Sequence, residues 1–512
     1  MATLKEVPAE SPSPEPSSSA PLGTPESPAA LSPAAGAAAA STSGPNQPAE
    51  GAVAREAGRG GLAVAFAKVY FILQGLVQQI ALPRVLGLDG YGAWSTVNSI
   101  ASVTYNPVIS MSIQGVSRAV AAARPEEQKA ALRRVLRVHA TIAVVFASAF
   151  FLLSRSIANQ AGAPHVAAAL QIFSAAMLLY ALYAPLIGAL NGQRRFLQQA
   201  GFDILAATIR TLGLIGGAWY LASRGLAVEG AAAGFVIGLV LLLGLAVYVV
   251  GTGASGEGGP SVRRHLAFIL PVLAGHVLLN LLLQADLTLL RRFAADAAVV
   301  RGLPITAADP LVGAYRATQL FSFLPYQLLI SVNFILFPML ASAVRDGDRR
   351  AVARYVAMGV RIALLIAGLM VSVTAGLAEG LINLVFGAEA AALGTRSLEL
   401  LALGFGAFAI FGVLTTVLNS LRRERASAAV TAVATAAVVV LCFLRVRGQE
   451  FGEPLLFRTA SATAVGLVIA TVGAGFLVYR AAGAVVPPKS AVRVIIAVAL
   501  TVTLGRVLPD GG

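Results

Sequence analysis

The chain has 512 residues, 57% hydrophobic and only 12% charged, with a mean hydropathy of +0.78. Soluble domains carry about 25% charged residues, so the water-soluble classes are excluded, and unbroken rather than alternating apolar runs exclude a β-barrel. The net charge of +14 sits in short loops between apolar runs, where it sets membrane orientation instead of binding nucleic acid.

Residues 1–58 are rich in Pro, Ala, Ser and Glu without apolar periodicity and read as a disordered tail. No basic segment leads into an apolar core with a cleavage site, so the tail is not a signal peptide. Beyond it the sequence predicts about thirteen helical spans, each near the length that crosses about 30 Å of hydrocarbon. Their limits are 62–85, 93–117, 138–157, 166–190, 200–222, 231–251, 266–290, 312–340, 359–378, 397–420, 428–445, 458–479 and 491–508. Alternate loops are basic, with Arg118–Arg137, Arg194 and Arg195, Arg263 and Arg264, Arg345–Arg354, Arg422–Arg425, then Arg480 and Lys489. The positive-inside rule puts this set and the tail in the cytoplasm; thirteen spans then leave the C-terminus outside. Arg291, Arg292 and Arg301 in the 291–311 region run against the rule.

The first span is not uniformly apolar. Lys68, Gly75 and Gln79 fall on one helical line, flanked by Gln74 and Gln78. The turn Gly87–Gly92 reverses the chain, and the return helix stacks Ser95, Ser99, Ser102, Asn106, Ser110 and Ser117 along one side. Polar side chains inside a bilayer face protein or water, so two such spans suggest the wall of an internal cavity. Close packing of helices through small residues explains the serine stripe equally well.

The chain also repeats. Gln74 and Gln78 match Asn280 and Gln284; Gly92-Ala93-Trp94 matches Gly313-Ala314-Tyr315; Leu190-Asn191-x-x-Arg194-Arg195 matches Leu418-Asn419-x-x-Arg422-Arg423. Matching elements run in the same direction, which predicts two parallel-repeat lobes around an axis along the membrane normal. The lobes are an N-lobe of six spans over 62–251 and a C-lobe of six or seven over 266–508, joined by the Gly-rich stretch Gly251–Pro260.

In the seventh span His276, Asn280, Gln284 and Arg291 share a face, and in the eighth Arg316, Gln319 and Gln327 do. The fifth span adds Arg210 near mid-membrane with Asp203 two turns earlier. Lys68, Arg210 and Arg316 are then cations at membrane depth, each costing about 2.5–3.5 kcal/mol to insert, while Asp286 is the one clear mid-span acid. A cavity lined by surplus positive charge offsets that cost by binding an anion, phosphate above all. The candidate cationic set is Lys68, Arg84, Arg210, Arg291 and Arg316; the polar set is Gln78, Gln79, His276, Asn280, Gln284 and Gln319. Snorkelling competes for Lys68 and Arg84, a satisfied bundle histidine for His276, and a salt bridge for Asp286. Asp286 and Asp203 are the candidates for ion coupling, and Pro107 and Pro325 for hinges. Cys442 is the single cysteine and the four histidines are scattered, so no disulfide, metal site, cofactor or catalytic residue is expected.

Leu82-Pro83-Arg84-Val85-Leu86-Gly87 followed by Gly90-Tyr91-Gly92 resembles the start of bacterial polysaccharide-biosynthesis flippases, in the multidrug/oligosaccharidyl-lipid/polysaccharide exporter superfamily. Gly115–Ala121, Leu190–Phe196, Val312–Tyr315 and Phe337-Pro338 extend the similarity over nearly all of the chain after the tail. It looks nearer to the O-antigen and sporulation-protein-B type than to the lipid II flippase branch. The resemblance implies an all-α, polytopic membrane protein of twelve or fourteen helices, with two lobes in a V around a cationic cavity. It implies alternating-access transport of a polyprenyl-pyrophosphate-linked oligosaccharide across a bacterial inner membrane, by a monomer with no enzymatic activity. Expected partners are the lipid-linked glycan, membrane lipids, a glycan polymerase and other assembly proteins. Two other readings stand beside it: an ion-coupled multidrug or organic-cation antiporter of the same superfamily, and a non-transporting scaffold of a glycan-assembly complex.

Overall fold

The computed structural model describes residues 50–256, 258–485 and 488–507. The tail before Glu50 lies outside them, as does the side chain of Lys68. The described residues form fourteen α-helices and no strand. They are α1 (Glu50–Ala121), α2 (Gln128–Gln160), α3 (Ala167–Gly192), α4 (Phe196–Ala222), α5 (Ala227–Val250) and α6 (Val262–Val300). There follow α7 (Ala308–Ser322), α8 (Leu324–Arg345), α9 (Arg349–Gly376), α10 (Ala378–Phe386), α11 (Ala388–Ser420), α12 (Glu424–Arg445), α13 (Glu453–Ala482) and α14 (Pro488–Val507). In lipid the backbone must satisfy its own hydrogen bonds, which a helix does within the segment.

α1 holds two arms. Gly87 breaks it with φ 70° and ψ 175°, a conformation that glycine alone adopts without strain. The chain turns back there: Ala67 packs on Ala200 near the start of α4, and Gly115 lies beside His265 near the start of α6. α1 begins at Glu50, within the last residues of the segment expected as a tail.

Ten helices are long and apolar enough to cross a membrane among the described residues, and eleven with the bent pair 305–330 and 335–345. The first of the ten, Val69–Ala121, contains the Gly87 reversal. Thirteen separate spans were expected. The eighth bends by 42° between Ile330 and Ile335, while Phe323, where α7 passes into α8, stays helical and Pro325 lies in the first turn of α8, where a missing N–H is harmless. Pro107 instead sits inside an unbroken stretch of α1. α14, carrying Lys489 and Arg493, lies against α9, where Gly368 makes room for Val494.

The repeat is visible in the backbone. Arg194 and Arg422 are the two non-glycine residues with positive φ among those described, at 60° and 57°. Each closes the same turn: Arg195 N–H donates to Leu190 O at 2.9 Å, and Arg423 N–H to Leu418 O at 2.8 Å. Two large apolar clusters match the two halves, one drawn from Leu82 to Ala246 and the other from Leu282 to Val478. Small residues set the closest approaches within each, through Gly213 and Gly217 against Gly234 and Gly230, and Gly404 against Ala464.

Candidate functional site between the lobes

The halves meet most tightly at the end of the bundle that carries Gly87. Gly92 in α1 and its repeat mate Gly313 in α7 face one another across the junction. A Cβ on Gly92 would stand 1.8 Å from the Asp309 carbonyl oxygen, and one on Gly313 would stand 2.5 Å from that of Leu88. Only glycine permits backbones so close. Beside this crossing Arg291 is fully buried, its Nε 3.3 Å from Asp309 Oδ1, while His165 Nε2 lies 2.9 Å from Asp309 Oδ2. An Arg291 Nη2–H also donates to Ile305 O at 3.3 Å. Arg291 therefore does not belong with the cavity cations expected from its helix face: it is held by a carboxylate at the end of the bundle.

A second contact runs along the return arm of α1 and the first half of α6. Asn106 Nδ2 donates to Asn280 Oδ1 at 3.0 Å, and the Ser99 and Thr288 hydroxyls lie 2.9 Å apart. Ser95, Ser99 and Ser102 are buried in this seam, so this part of the serine stripe serves close packing. Farther along, His139 of α2 and His265 of α6 bring their Nε2 atoms to 3.0 Å, and His139 Nδ1 lies 3.0 Å from the Ser112 hydroxyl. These histidines, scattered in sequence, meet in space. Among the described residues no group of three or more metal-ligating side chains forms.

Between these contacts stand the cations expected at membrane depth. Arg210 projects from α4 with its guanidinium 4.7 Å from the centre of the Phe71 ring, in a small pocket also lined by Tyr180 and Phe235. Its Nε is buried without a hydrogen-bond partner. Arg316, from α7 of the other half, donates from Nη1 to Gln319 Oε1 at 3.0 Å and stands one turn beyond Gly313 at the crossing of the halves. Among the described residues neither arginine forms an ion pair. Cations over aromatic faces are partly compensated by the ring quadrupole, which leaves their charge available to an anion.

Gln79 accepts the Tyr91 hydroxyl proton at 2.7 Å, and Gln74 donates to Tyr70, whose hydroxyl meets that of Thr208 at 2.8 Å. The repeat mates Gln78 and Gln284 each bury a side-chain carbonyl that lacks a partner. His276 places Nδ1 2.9 Å from Val272 O of its own helix, and its Nε2 is buried without a partner. Arg84 is exposed. Asp203 lies on α4 of the first half, on the N-terminal side of Arg210.

Asp286 is the most enclosed acid, 1% exposed. Its Oδ2 accepts from Tyr315 at 2.8 Å, Gln319 Nε2 at 3.0 Å and Thr463 at 3.3 Å; its Oδ1 accepts from Leu287 N–H at 2.8 Å. Every one of these donors is neutral, so among the described residues Asp286 forms no salt bridge. Sequence reasoning missed Tyr91, Tyr315 and Thr463 as partners and Asp309 and His165 as the bolt. A tyrosine at the mid-turn Tyr91 and a threonine in an apolar span carry no signal of their own.

No family model and no curated protein matches this chain. Solved structures do. A lipid II flippase, MurJ, in an inward closed conformation is similar with a TM-score of 0.67 and 14% identity, over 87% of this chain and 91% of that one. An inward-facing multidrug resistance transporter of the MATE family gives 0.61 at 14% identity, over 85% and 98%. A transporter of the same MOP superfamily from Pyrococcus furiosus, described by the reversed polarity of its binding pocket, gives 0.58 at 14%, over 86% and 95%. The fold is thus that of the MATE and MurJ transporters.

Proposed function

We propose that this protein carries a polyprenyl-pyrophosphate-linked oligosaccharide across the membrane by alternating access, for cell-surface polysaccharide synthesis. The observation that carries this reading is a pair of arginines, one from each half: Arg210, its Nε buried without a hydrogen-bond partner beside Phe71, and Arg316, bonded to Gln319, form no ion pair among the described residues. Cations held at membrane depth without an ion-pair partner are stabilised by an anion that spans the halves. The pyrophosphate meets Arg210 and Arg316, with Lys68 on the adjoining arm. Gln78, Gln79 and Gln284 face the sugar hydroxyls, and the prenyl chain stays in lipid. The likeness to a lipid II flippase agrees with a lipid-linked substrate, and the sequence motifs favour the O-antigen or sporulation-protein-B type. Arg210→Glu and Arg316→Glu should each abolish surface polysaccharide at unchanged protein level; unaltered polymer output would reject the assignment.

A second reading has its own observation. Asp286, buried among neutral donors, is suited to taking up a proton or a monovalent cation, as an ion-coupled exporter of organic cations requires. Cation export lost in Asp286→Asn, with polysaccharide intact, would favour it. In either reading the protein is a monomer in a bacterial inner membrane with its N-terminus in the cytoplasm and the Gly87 end outside. A scaffold acting through its tail predicts instead that deleting residues 1–49 abolishes function.

A further inference from the structure

Three side chains form one chain of hydrogen bonds that begins at Asp286 and ends at Arg316, beside the crossing of the two halves. Gln319 Nε2 donates to Asp286 Oδ2 at 3.0 Å, and Arg316 Nη1 donates to Gln319 Oε1 at 3.0 Å. Arg316 stands one turn beyond Gly313, which faces Gly92 across the halves, and the neighbouring Tyr91 hydroxyl donates to Gln79 Oε1 at 2.7 Å. Tyr91 immediately precedes Gly92, whose crossing with α7 seals the Gly87 end.

The amide at the centre has one permitted orientation. A guanidinium can only donate and an ionised carboxylate can only accept, so Oε1 faces Arg316 and Nε2 faces Asp286. The remaining groups that face Asp286 are Tyr315 of α7, Cys442 of α12 and Thr463 of α13, with no cation among them. A proton or a bound cation on Asp286 reverses the demand. A protonated carboxyl has a hydrogen to donate, and the Gln319 carbonyl receives it once the amide turns over. The amide then presents NH2 to Arg316, donor against donor, and the guanidinium is released. The hydroxyls of Tyr315 and Thr463 are the competing acceptors, and neither touches Arg316.

We propose that Gln319 is a positioning residue that transmits the charge state of Asp286 to Arg316 and, through the crossing of Gly92 and Gly313 beside it, to the closure between the two halves. The inference rests on the reading of Arg316 as an anion site and Asp286 as an ion-coupling group. Coupling of this kind is reciprocal: an anion that draws Arg316 away from Gln319 changes the ion affinity of Asp286 by the same factor.

The test uses the full chain in lipid nanodiscs, spin-labelled at Ser223→Cys and Arg447→Cys, exposed positions in the α4–α5 and α12–α13 loops. The native Cys442 is buried and escapes labelling. The inter-label distance is followed from acid to alkaline pH, and with and without sodium at one pH, which separates a proton from a metal cation. The distance should shift in the wild type, stay fixed in Asp286→Asn, and lose its response in the near-isosteric Gln319→Met at unchanged melting temperature. Gln319→Glu should restore a pH response with a higher midpoint, because two adjoining carboxyls share a proton; a purely structural role would not give that shift. A Gln319→Met protein that responds like the wild type, or a wild type that does not respond, overturns the proposal. Farnesyl pyrophosphate, added as the probe anion, should move the wild-type midpoint but not that of Gln319→Met. If it leaves the wild-type midpoint unchanged while pH or sodium still moves the labels, the pyrophosphate reading falls and the Gln319 relay stands.

Discussion

Arg291 and Arg210 are the same residue type at two depths of one bundle, and they are kept in opposite ways. Arg291 is fully buried at the Gly87 end, with Asp309 and the Ile305 carbonyl around it and His165 on the far side of the carboxylate. Arg210 is half-buried among aromatic rings, with Nε unpartnered and no described ion pair. A buried cation with its charge cancelled is a fixed part of the structure; a buried cation left uncancelled is one that another anion must satisfy. What separates bolt from site is the partner, not the arginine.

The largest effect that would break this contrast is at Asp309. Asp309→Asn leaves Arg291 buried without its counter-charge, and removing one partner of a buried pair costs about 3–5 kcal/mol, read as a fall in melting temperature in detergent. The double variant Arg291→Met with Asp309→Leu should recover most of that loss. Gly92→Ala comes next. Its methyl would collide with the Asp309 carbonyl, so the junction must shift, at about 1–3 kcal/mol and with greater labelling of cysteines placed at the Gly87 end. Tyr91→Phe removes the 2.7 Å bond to Gln79 and should cost about 1 kcal/mol in the same melting assay.

How far the sequence carried these assignments depended on reach along the chain. The repeat was legible because Arg194 and Arg422 sit in identical local motifs and adopt the same left-handed turn. Arg316 and Gln319 were legible as neighbours because they lie one helical turn apart. Asp286 stood out as an acid in an apolar span, but Thr463 lies 177 residues away and nothing local joins them. Arg291 was misassigned for a related reason. Its helix face continues that of His276 and Asn280, and α6 runs on to Val300, which carries Arg291 past the seam to Asp309. Helical periodicity gives a face and says nothing of which element arrives at each level of it. The two interruptions, at Gly87 and between Ile330 and Ile335, differ likewise: the first is glycine chemistry, while the second falls in an apolar run with no glycine or proline at the bend.

No loss of stability is expected where the functional loss is complete. Arg210→Met removes a half-buried charge and keeps most of the side-chain volume against Phe71, Tyr180 and Phe235. Apolar replacement of an uncompensated intramembrane cation relieves its insertion penalty, so the melting temperature should hold or rise, by the equivalent of up to about 2 kcal/mol. Binding of a prenyl pyrophosphate and output of surface polysaccharide should both disappear, because the guanidinium is the group left open for the anion. A melting-temperature drop of the size given by Asp309→Asn would mean that Arg210 already has its counter-charge. It would then join Arg291 as a structural pair, and the site between the two halves would rest on Arg316 without a counterpart.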